Sequence, residues 1–235
     1  VLEYDEAPGL RPGMKTVGRR LNTFLGYVTN GLYENYTDVE ESPTSTLGNI
    51  AISPGDIKYV DQPDANGNYD GRITSDDRVE IGDPWIPEIV YGFGPSMRWK
   101  NWDFSFFFQG QTNVSLIMEN FEPFGERSAR GVLAWIADDY WSPDYPNVNA
   151  KHPRLTRLTN NHNMQVSTYW LRDASFLKLK NVELGYSYKK ARFYISGSNL
   201  LTISPFKHWD PEVGTGAGMQ YPTQRIFNLG IQMSF

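Results

Sequence analysis

The chain has 235 residues, no cysteine and a net charge of −5, and its aromatic residues include 14 tyrosines and 7 tryptophans. These values exclude a disulfide framework and a thiolate metal site. They also argue against a partner made of nucleic acid, which usually binds a basic surface. No run of residues approaches the roughly 18–20 apolar side chains of a membrane-spanning helix. The composition does not exclude strands of about ten alternating residues that face lipid on one side only.

Three segments in the first half of the chain are predicted to be extended. Residues 20–36 carry apolar and aromatic side chains separated by Gly and Asn, which indicates a strand. Residues 88–100 and 102–109 each alternate aromatic with polar or small side chains. The break at Lys100-Asn101 between them predicts a tight hairpin.

Three more strands are predicted in the second half. Residues 171–188 change their apolar phase, from odd to even positions, and a bulge near Lys180-Asn181 would restore one apolar face. Residues 192–203 follow a tight turn at Lys189-Lys190. The last ten residues, 226–235, alternate strictly and end on Phe235, so their apolar side chains share one face.

The lengths of the connections separate into two classes. Residues 36–87, 113–169 and 204–224 are long and polar, whereas the two other connections are tight turns. Within the second long connection, residues 129–141 predict a short amphipathic helix. Short turns on one side and long loops on the other are typical of an outer-membrane barrel with periplasmic turns. A soluble sandwich gives the same alternation without this separation of loop lengths.

An ordered series of short motifs extends over nearly the whole chain from about residue 20. The motifs are Pro54-Gly55-Asp56-Ile57-Lys58-Tyr59-Val60-Asp61, Asp70-Gly71-Arg72-Ile73 with Asp76-Asp77-Arg78, Ile81-Gly82-Asp83-Pro84, Tyr91-Gly92-Phe93-Gly94, Trp102-Asp103-Phe104-Ser105-Phe106 with Gln109-Gly110, Tyr169-Trp170-Leu171-Arg172-Asp173-Ala174-Ser175-Phe176-Leu177-Lys178-Leu179-Lys180-Asn181, Ser198-Asn199-Leu200-Leu201-Thr202, Asp210-Pro211-Glu212, Tyr221-Pro222 and the ending on Phe235. Their order and spacing resemble the C-terminal part of the SusC/RagA family of TonB-dependent outer-membrane transporters.

The resemblance implies an all-β fold of antiparallel, up-and-down strands. Residues 1–235 would form the C-terminal section, about six strands, of a 22-stranded outer-membrane barrel. The plug and the N-terminal strands are expected to lie outside these residues. The resemblance also implies import of oligosaccharide or peptide fragments, a SusD-like surface lipoprotein as partner, and energy from the TonB complex through the missing part. Membrane lipid would contact the strands.

Residues 66–77 fit the spacing of an EF-hand-like calcium loop. Its oxygen ligands would come from Asn66, Asn68, Asp70, the Arg72 carbonyl, Thr74 and Asp77, with Gly71 at the sixth position. Asn at the first and third positions, and Asp instead of Glu at the last, predict weak binding that would stiffen an extracellular loop. The alternative is a polar turn held by Asx hydrogen bonds.

The remaining candidate residues give weaker signals for a functional site. The three histidines, His152, His162 and His208, have no partner at ligand spacing, and no catalytic constellation is present, so we expect no enzyme. The loop aromatics that could stack on substrate or lie at an interface are Tyr140, Trp141, Trp170 and Trp209. The alternative function is a secreted, soluble β-protein that binds carbohydrate through aromatic loops and a calcium loop.

Overall fold

The structure is a computed structural model that describes residues 2–7, 10–119, 131–221 and 223–234. By its internal contacts the chain divides into two compact units. We call residues 1–84, 117–172 and 215–217 the loop unit, and residues 85–116, 173–214 and 218–235 the sheet unit. The predicted end of the last strand at Phe235 lies outside the described residues.

The loop unit is built from very short elements. Its strands and helices are β1 (Phe24–Gly26), β2 (Thr29–Leu32), α1 (Tyr36–Glu41), β3 (Thr44–Ser45), β4 (Ile57–Tyr59), β5 (Arg72–Ile73), β6 (Val79–Ile81) and α2 (Ala134–Asp138). Antiparallel pairs join β1 to β6 and β2 to β4, and a parallel pair joins β3 to β5. Asn35 caps α1, because its side chain accepts a hydrogen bond from the Asp38 N–H.

The core of the loop unit is aromatic and aliphatic. Tyr27 and Tyr59 pack with ring centroids 5.2 Å apart, and Tyr59 packs on His162 at 4.8 Å. Tyr33 and Ile57 are also fully buried. Burial raises the pKa of Tyr33 to about 12, so its hydroxyl stays protonated at physiological pH.

The sheet unit contains one six-stranded antiparallel sheet. Its strands are β7 (Ile89–Phe93), β8 (Ser96–Trp99), β9 (Trp102–Thr112), β12 (Phe176–Tyr188), β13 (Ala191–Ile203) and β14 (Ile226–Met233). Two short strands, β10 (Ser115–Ile117) and β11 (Leu171–Asp173), lie between β9 and β12 in the sequence and pair only with each other. The order is β14-β13-β12-β9-β7, with β8 also paired to β9. Neighbours in sequence are therefore neighbours in the sheet, as predicted for an up-and-down arrangement.

The predicted all-β fold of about six antiparallel strands is confirmed, but one member of the sheet differs. Residues 20–36 do not join the sheet, because the segment breaks into β1 and β2, which pair inside the loop unit. The sixth strand arises instead because Gly94-Pro95 divides the segment 88–100 into β7 and β8. Proline has no N–H for a ladder, which explains an interruption at this point.

Three finer predictions can be compared with the structure. The bulge in β12 is confirmed, since the register shifts between Leu179 and Asn181 against both neighbouring strands. Both tight turns are confirmed, and their first residues, Lys100 and Lys189, have positive φ angles of 54° and 53°. The loop helix is shorter than predicted, since it covers Ala134–Asp138 of the predicted segment 129–141, of which 129 and 130 lie outside the described residues.

Candidate functional sites

The sheet has one continuous apolar face. Cross-strand partners lie on the same side of a sheet, and the register pairs Phe93 with Phe108, Leu184 with both Phe104 and Ile195, and Ile195 with Leu229. The face comprises Tyr91, Phe93, Met97, Trp99, Trp102, Phe104, Phe106, Phe108, Leu177, Leu179, Val182, Leu184, Tyr186, Tyr188, Phe193, Ile195, Leu201, Ile203, Phe227, Leu229, Ile231 and Met233.

Much of this face is open to its surroundings. On β14, Leu229 is 85% exposed and Phe227 is 70% exposed. An apolar surface of this extent is far beyond the scattered exposed side chains that water tolerates on a monomeric protein. Such a surface requires either lipid or another protein to cover it.

The opposite face of the sheet is polar and holds an ion-paired cluster. Arg192 donates to the carboxylate of Asp103, through Nε at 3.0 Å and also through Nη2, and it donates to Glu183 at 2.5 Å. These residues come from β13, β9 and β12, so the cluster ties three strands together. A polar face backed by an apolar one is the pattern of a wall between lipid and a water-filled interior.

The two tight turns lie at the same end of the sheet and carry similar residues. Lys100 lies over the Trp99 ring at 4.9 Å, and Lys189 lies over the Tyr188 ring at 5.4 Å. Aromatic side chains with nearby cations are favoured at the boundary between lipid and water. This end of the sheet therefore has the composition of a membrane interface.

The other end of the sheet anchors the loop that follows β13. Lys178 is fully buried, and its ammonium donates to both carboxylate oxygens of Asp210, at 2.5 and 2.6 Å, and to Glu212. Lys180 donates to the other oxygen of Glu212 at 2.5 Å. Burial is the largest effect on both carboxyl groups and acts to raise their pKa values, but the hydrogen bonds from Lys178 and other donors, together with the lysine charges, outweigh it, so both pKa values are lowered. We call these four residues the Lys178 network.

A buried carboxylate organises the loop unit, and the sequence analysis did not identify it as a functional residue. Asp56 accepts hydrogen bonds from the Arg154 guanidinium at 2.7 and 3.0 Å and from the side-chain amides of Asn160 and Asn163, both at 2.9 Å. Its neighbour Gly55 has a φ of +86°. The only sequence signal was the motif Pro54-Gly55-Asp56, whose role depends on partners about a hundred positions away.

The predicted calcium residues are placed in two groups. Asp64 Oδ1 accepts hydrogen bonds from the N–H groups of Asn66 and Asn68, at 2.8 and 2.9 Å, which forms the Asx-type turn given above as the alternative. Thr74 and Asp77 instead form a capping box at a 3₁₀ turn, Ser75–Asp77.

The guanidinium of Arg11 is hydrogen-bonded to the two carboxylates that would bind calcium. Arg11 donates to Asp70 at 2.6 Å and to Asp77 at 3.0 Å, and Asp70 also accepts from the Arg72 N–H at 2.9 Å. In the described part of the chain, no three His, Asp or Glu side chains are grouped to hold a metal. The residues as placed do not fit a calcium cage without displacement of Arg11. Calcium binding at this loop stays a prediction.

The aromatic candidates differ in accessibility. Trp141 and Trp170 are only 7% and 4% exposed, so in this conformation their rings are part of the core and not stacking surfaces. Trp141 packs on Gly55, and Trp170 donates from Nε1 to the Asn163 carbonyl at 2.7 Å. Tyr140 and Trp209 remain accessible, and their contact with substrate stays a prediction.

The two buried histidines serve the loop unit. His162 donates from Nε2 to the Ile57 carbonyl at 2.7 Å and accepts at Nδ1 from Ser45 at 3.1 Å. His152 donates from Nδ1 to the Pro153 carbonyl at 2.8 Å. Burial lowers the pKa of His162 and lowers that of His152 to about 4, so both rings are neutral at physiological pH.

Known proteins resemble this chain over its whole length. No protein-family model matches it. It is 28% identical to TonB-dependent receptor P3 of Formosa agariphila over 261 residues, which cover all of this chain and 24% of the receptor. It is 27% identical to TonB-dependent receptor SusC of Bacteroides thetaiotaomicron, over 90% of this chain and 20% of SusC.

Solved structures show the same fold. A chain of the RagAB peptide transporter superposes on 91% of this chain with a TM-score of 0.65 and 25% identity, and 23% of that chain is matched. The resemblance to SusC/RagA receptors is confirmed. This SusC/RagA-like chain spans about a quarter of the length of the relatives it matches.

The relatives bear on several predictions for the SusC/RagA-like chain. They are TonB-dependent receptors and a chain of a peptide transporter by name, and this chain resembles a section of such an outer-membrane protein. The relatives are receptors and transporters by name, which confirms the prediction that the chain is not an enzyme. No helix in the described part of the chain is long and apolar enough to cross a membrane.

Proposed function

We propose that this chain forms part of the wall and extracellular loops of a TonB-dependent nutrient importer. The sheet unit supplies strands of a 22-stranded barrel, and the plug and remaining strands belong to other parts of the same protein. The continuous apolar face of β7–β9 and β12–β14 carries this proposal, because a wall between lipid and an aqueous interior needs one apolar and one polar side. The relatives are more than four times as long as this chain, which leaves room for those parts.

We propose that the importer takes up glycan or peptide fragments together with a SusD-like surface lipoprotein. One structural relative is named as a peptide transporter, which supports the peptide class. The glycan class follows from the resemblance to the SusC/RagA family, to which the sequence similarity to SusC also points. The loop unit supports an extracellular partner, because it is a folded body with its own core and its own ion pairs instead of a set of flexible connections. The energy would come from the TonB complex through the plug region.

The experiment uses the full-length receptor that contains this chain. Cells that produce it are given mixtures of fluorescently labelled oligosaccharides and peptides, and uptake is measured with and without a functional TonB. We expect uptake of one class that depends on TonB, and co-purification of a lipoprotein encoded with the receptor. A matched strain without the receptor gives the background.

Two outcomes would contradict the proposal. One is uptake that proceeds equally without TonB. The other is recovery of the folded receptor as a monodisperse protein without detergent, which would favour the soluble carbohydrate-binding alternative, because the apolar face could not then be facing lipid.

A further inference from the structure

A polar cavity of about 230 Å³ lies in the sheet unit beside the Lys178 network. Its walls include Lys178 from β12, Thr202 from β13, and Lys207, Trp209 and Arg225 from the segment that joins β13 to β14. Lys178 and Thr202 are cross-strand partners. Because Leu177 and Leu179 on either side of Lys178 belong to the apolar face, the cavity lies on the polar face of the sheet.

The charges around the cavity do not balance. Within the Lys178 network, the two lysines are matched by Asp210 and Glu212, so the network is neutral as a whole. Lys207 and Arg225 add two positive charges. Among the described residues, neither of these side chains has a carboxylate within ion-pair distance. The cavity therefore combines a neutral floor with two exposed cations.

The aromatic wall of the cavity is held in place. The Trp209 ring packs edge-on against Phe206 at 4.7 Å, and its Nε1 donates to the Gly214 carbonyl at 3.2 Å. The ring also rests on Gly218, where a Cβ would overlap it. A fixed, partly exposed indole next to cations can contact a ring or chain while the cations bind its charge.

The size of the cavity limits what can enter. Pockets for drug-sized ligands have volumes of about 300–1,000 Å³, so this smaller cavity suits a single sugar ring or a single amino-acid residue. An exposed ammonium and a guanidinium suit a carboxylate, because charge-assisted hydrogen bonds to it are stronger than neutral ones.

We propose that this cavity binds a carboxylate-bearing terminal unit of the imported fragment, either a uronic acid or the C-terminal residue of a peptide. The proposal rests on the importer function for the origin of the ligand. The chemistry shared by both sources is one carboxylate on a unit that packs beside Trp209, with Lys207 and Arg225 as the charged contacts.

The test measures binding by the full-length receptor, purified in detergent, by isothermal titration calorimetry. The probes are digalacturonate with its neutral counterpart galactobiose, and N-acetyl-dialanine with its C-terminal amide. The variants are Lys207→Gln and Arg225→Gln, with Lys190→Gln in the tight turn at the other end of the sheet as the matched control. All three are surface lysine or arginine positions, and folding is checked by the heat-dependent gel mobility of the receptor.

We expect one acid probe to bind and its neutral counterpart to bind at least ten times more weakly. Each cavity variant should weaken acid binding by about 10- to 100-fold, the range expected when a hydrogen bond to a charged group is lost, and Lys190→Gln should leave it unchanged. The acid that binds identifies the source of the carboxylate.

Equal binding of acid and neutral probes, no binding of either acid, or equal effects of all three variants would overturn the proposal. Binding needs no TonB, so failure of uptake with intact binding would count against the importer function and not against this site.

Discussion

Replacing Leu229 by arginine tests which side of the sheet faces lipid. Leu229 lies four residues before Met233, which belongs to the same ladder row as Tyr188 next to the Lys189-Lys190 turn. At about 3.3 Å per residue and a tilt of about 45°, this separation corresponds to a depth of roughly 9 Å below the boundary marked by the aromatic turns. The apolar band of such barrels is about 25 Å tall, so in the proposed wall Leu229 is near the membrane midplane.

An arginine at the midplane costs about 2–4 kcal/mol, which lowers the folding equilibrium constant by roughly 30- to 900-fold. Asn228→Arg is the matched control, because Asn228 is the adjacent residue on the polar face, where surface substitutions usually change stability by about 0.5 kcal/mol or less. The assay is urea-dependent folding of the full-length receptor into phospholipid vesicles, followed by gel mobility. If Asn228→Arg were as destabilising as Leu229→Arg, the assignment of the two faces would be refuted.

Three further predictions concern the loops and use hydrogen exchange of the full-length receptor as the measurement. Gly55→Ala should destabilise the loop unit by roughly 2 kcal/mol more than Gly67→Ala, because both positions have φ near +85° but only the first Cβ meets the Trp141 ring; equal effects would contradict the packing. Asp56→Asn should cost about 3 kcal/mol, since it leaves a partly exposed arginine without its buried partner, and unchanged protection of the loop unit would oppose that role. The pKa values of Asp210 and Glu212 are lowered in the folded state, so both carboxylates stabilise the fold at any pH above their unfolded pKa values of about 3.9 and 4.3. This stabilisation is lost as the pH falls through the folded-state pKa values. Protection of the loop after β13 should therefore hold from pH 7 to about pH 5 and fall below about pH 4, and loss already near pH 6 would contradict this assignment.

The sheet could be predicted from sequence because its signal is periodic and local. The alternation within one strand is enough to predict that Phe104, Phe106 and Phe108 share a face. The change of phase from Leu179 to Val182 locates the bulge. Antiparallel neighbours joined by two-residue turns then leave little choice of pairing.

The loop unit could not be predicted in the same way. Its strands have two to four residues, which is too short for a period to appear, and β1 pairs with β6 across more than fifty intervening residues. The partners of Asp56 lie near position 160, and nothing in the local sequence connects them. Trp141 and Trp170 were predicted as loop aromatics, and only the three-dimensional packing shows that those loops enclose a core.

In the proposed wall, the bulge in β12 separates two requirements. Toward the tight turns, β12 keeps an unbroken register with β9 and β13, so the apolar side chains in this part stay on one face. On the other side of the bulge, Lys178 and Lys180 hold the loop that encloses the charged cavity. Because the register is already interrupted at Lys180, a change in strand length beyond this point can alter the cavity and its loop while the apolar side chains between the bulge and the tight turns keep their face. In the proposed wall, the bulge would thus let the cavity vary independently of that part of the apolar face.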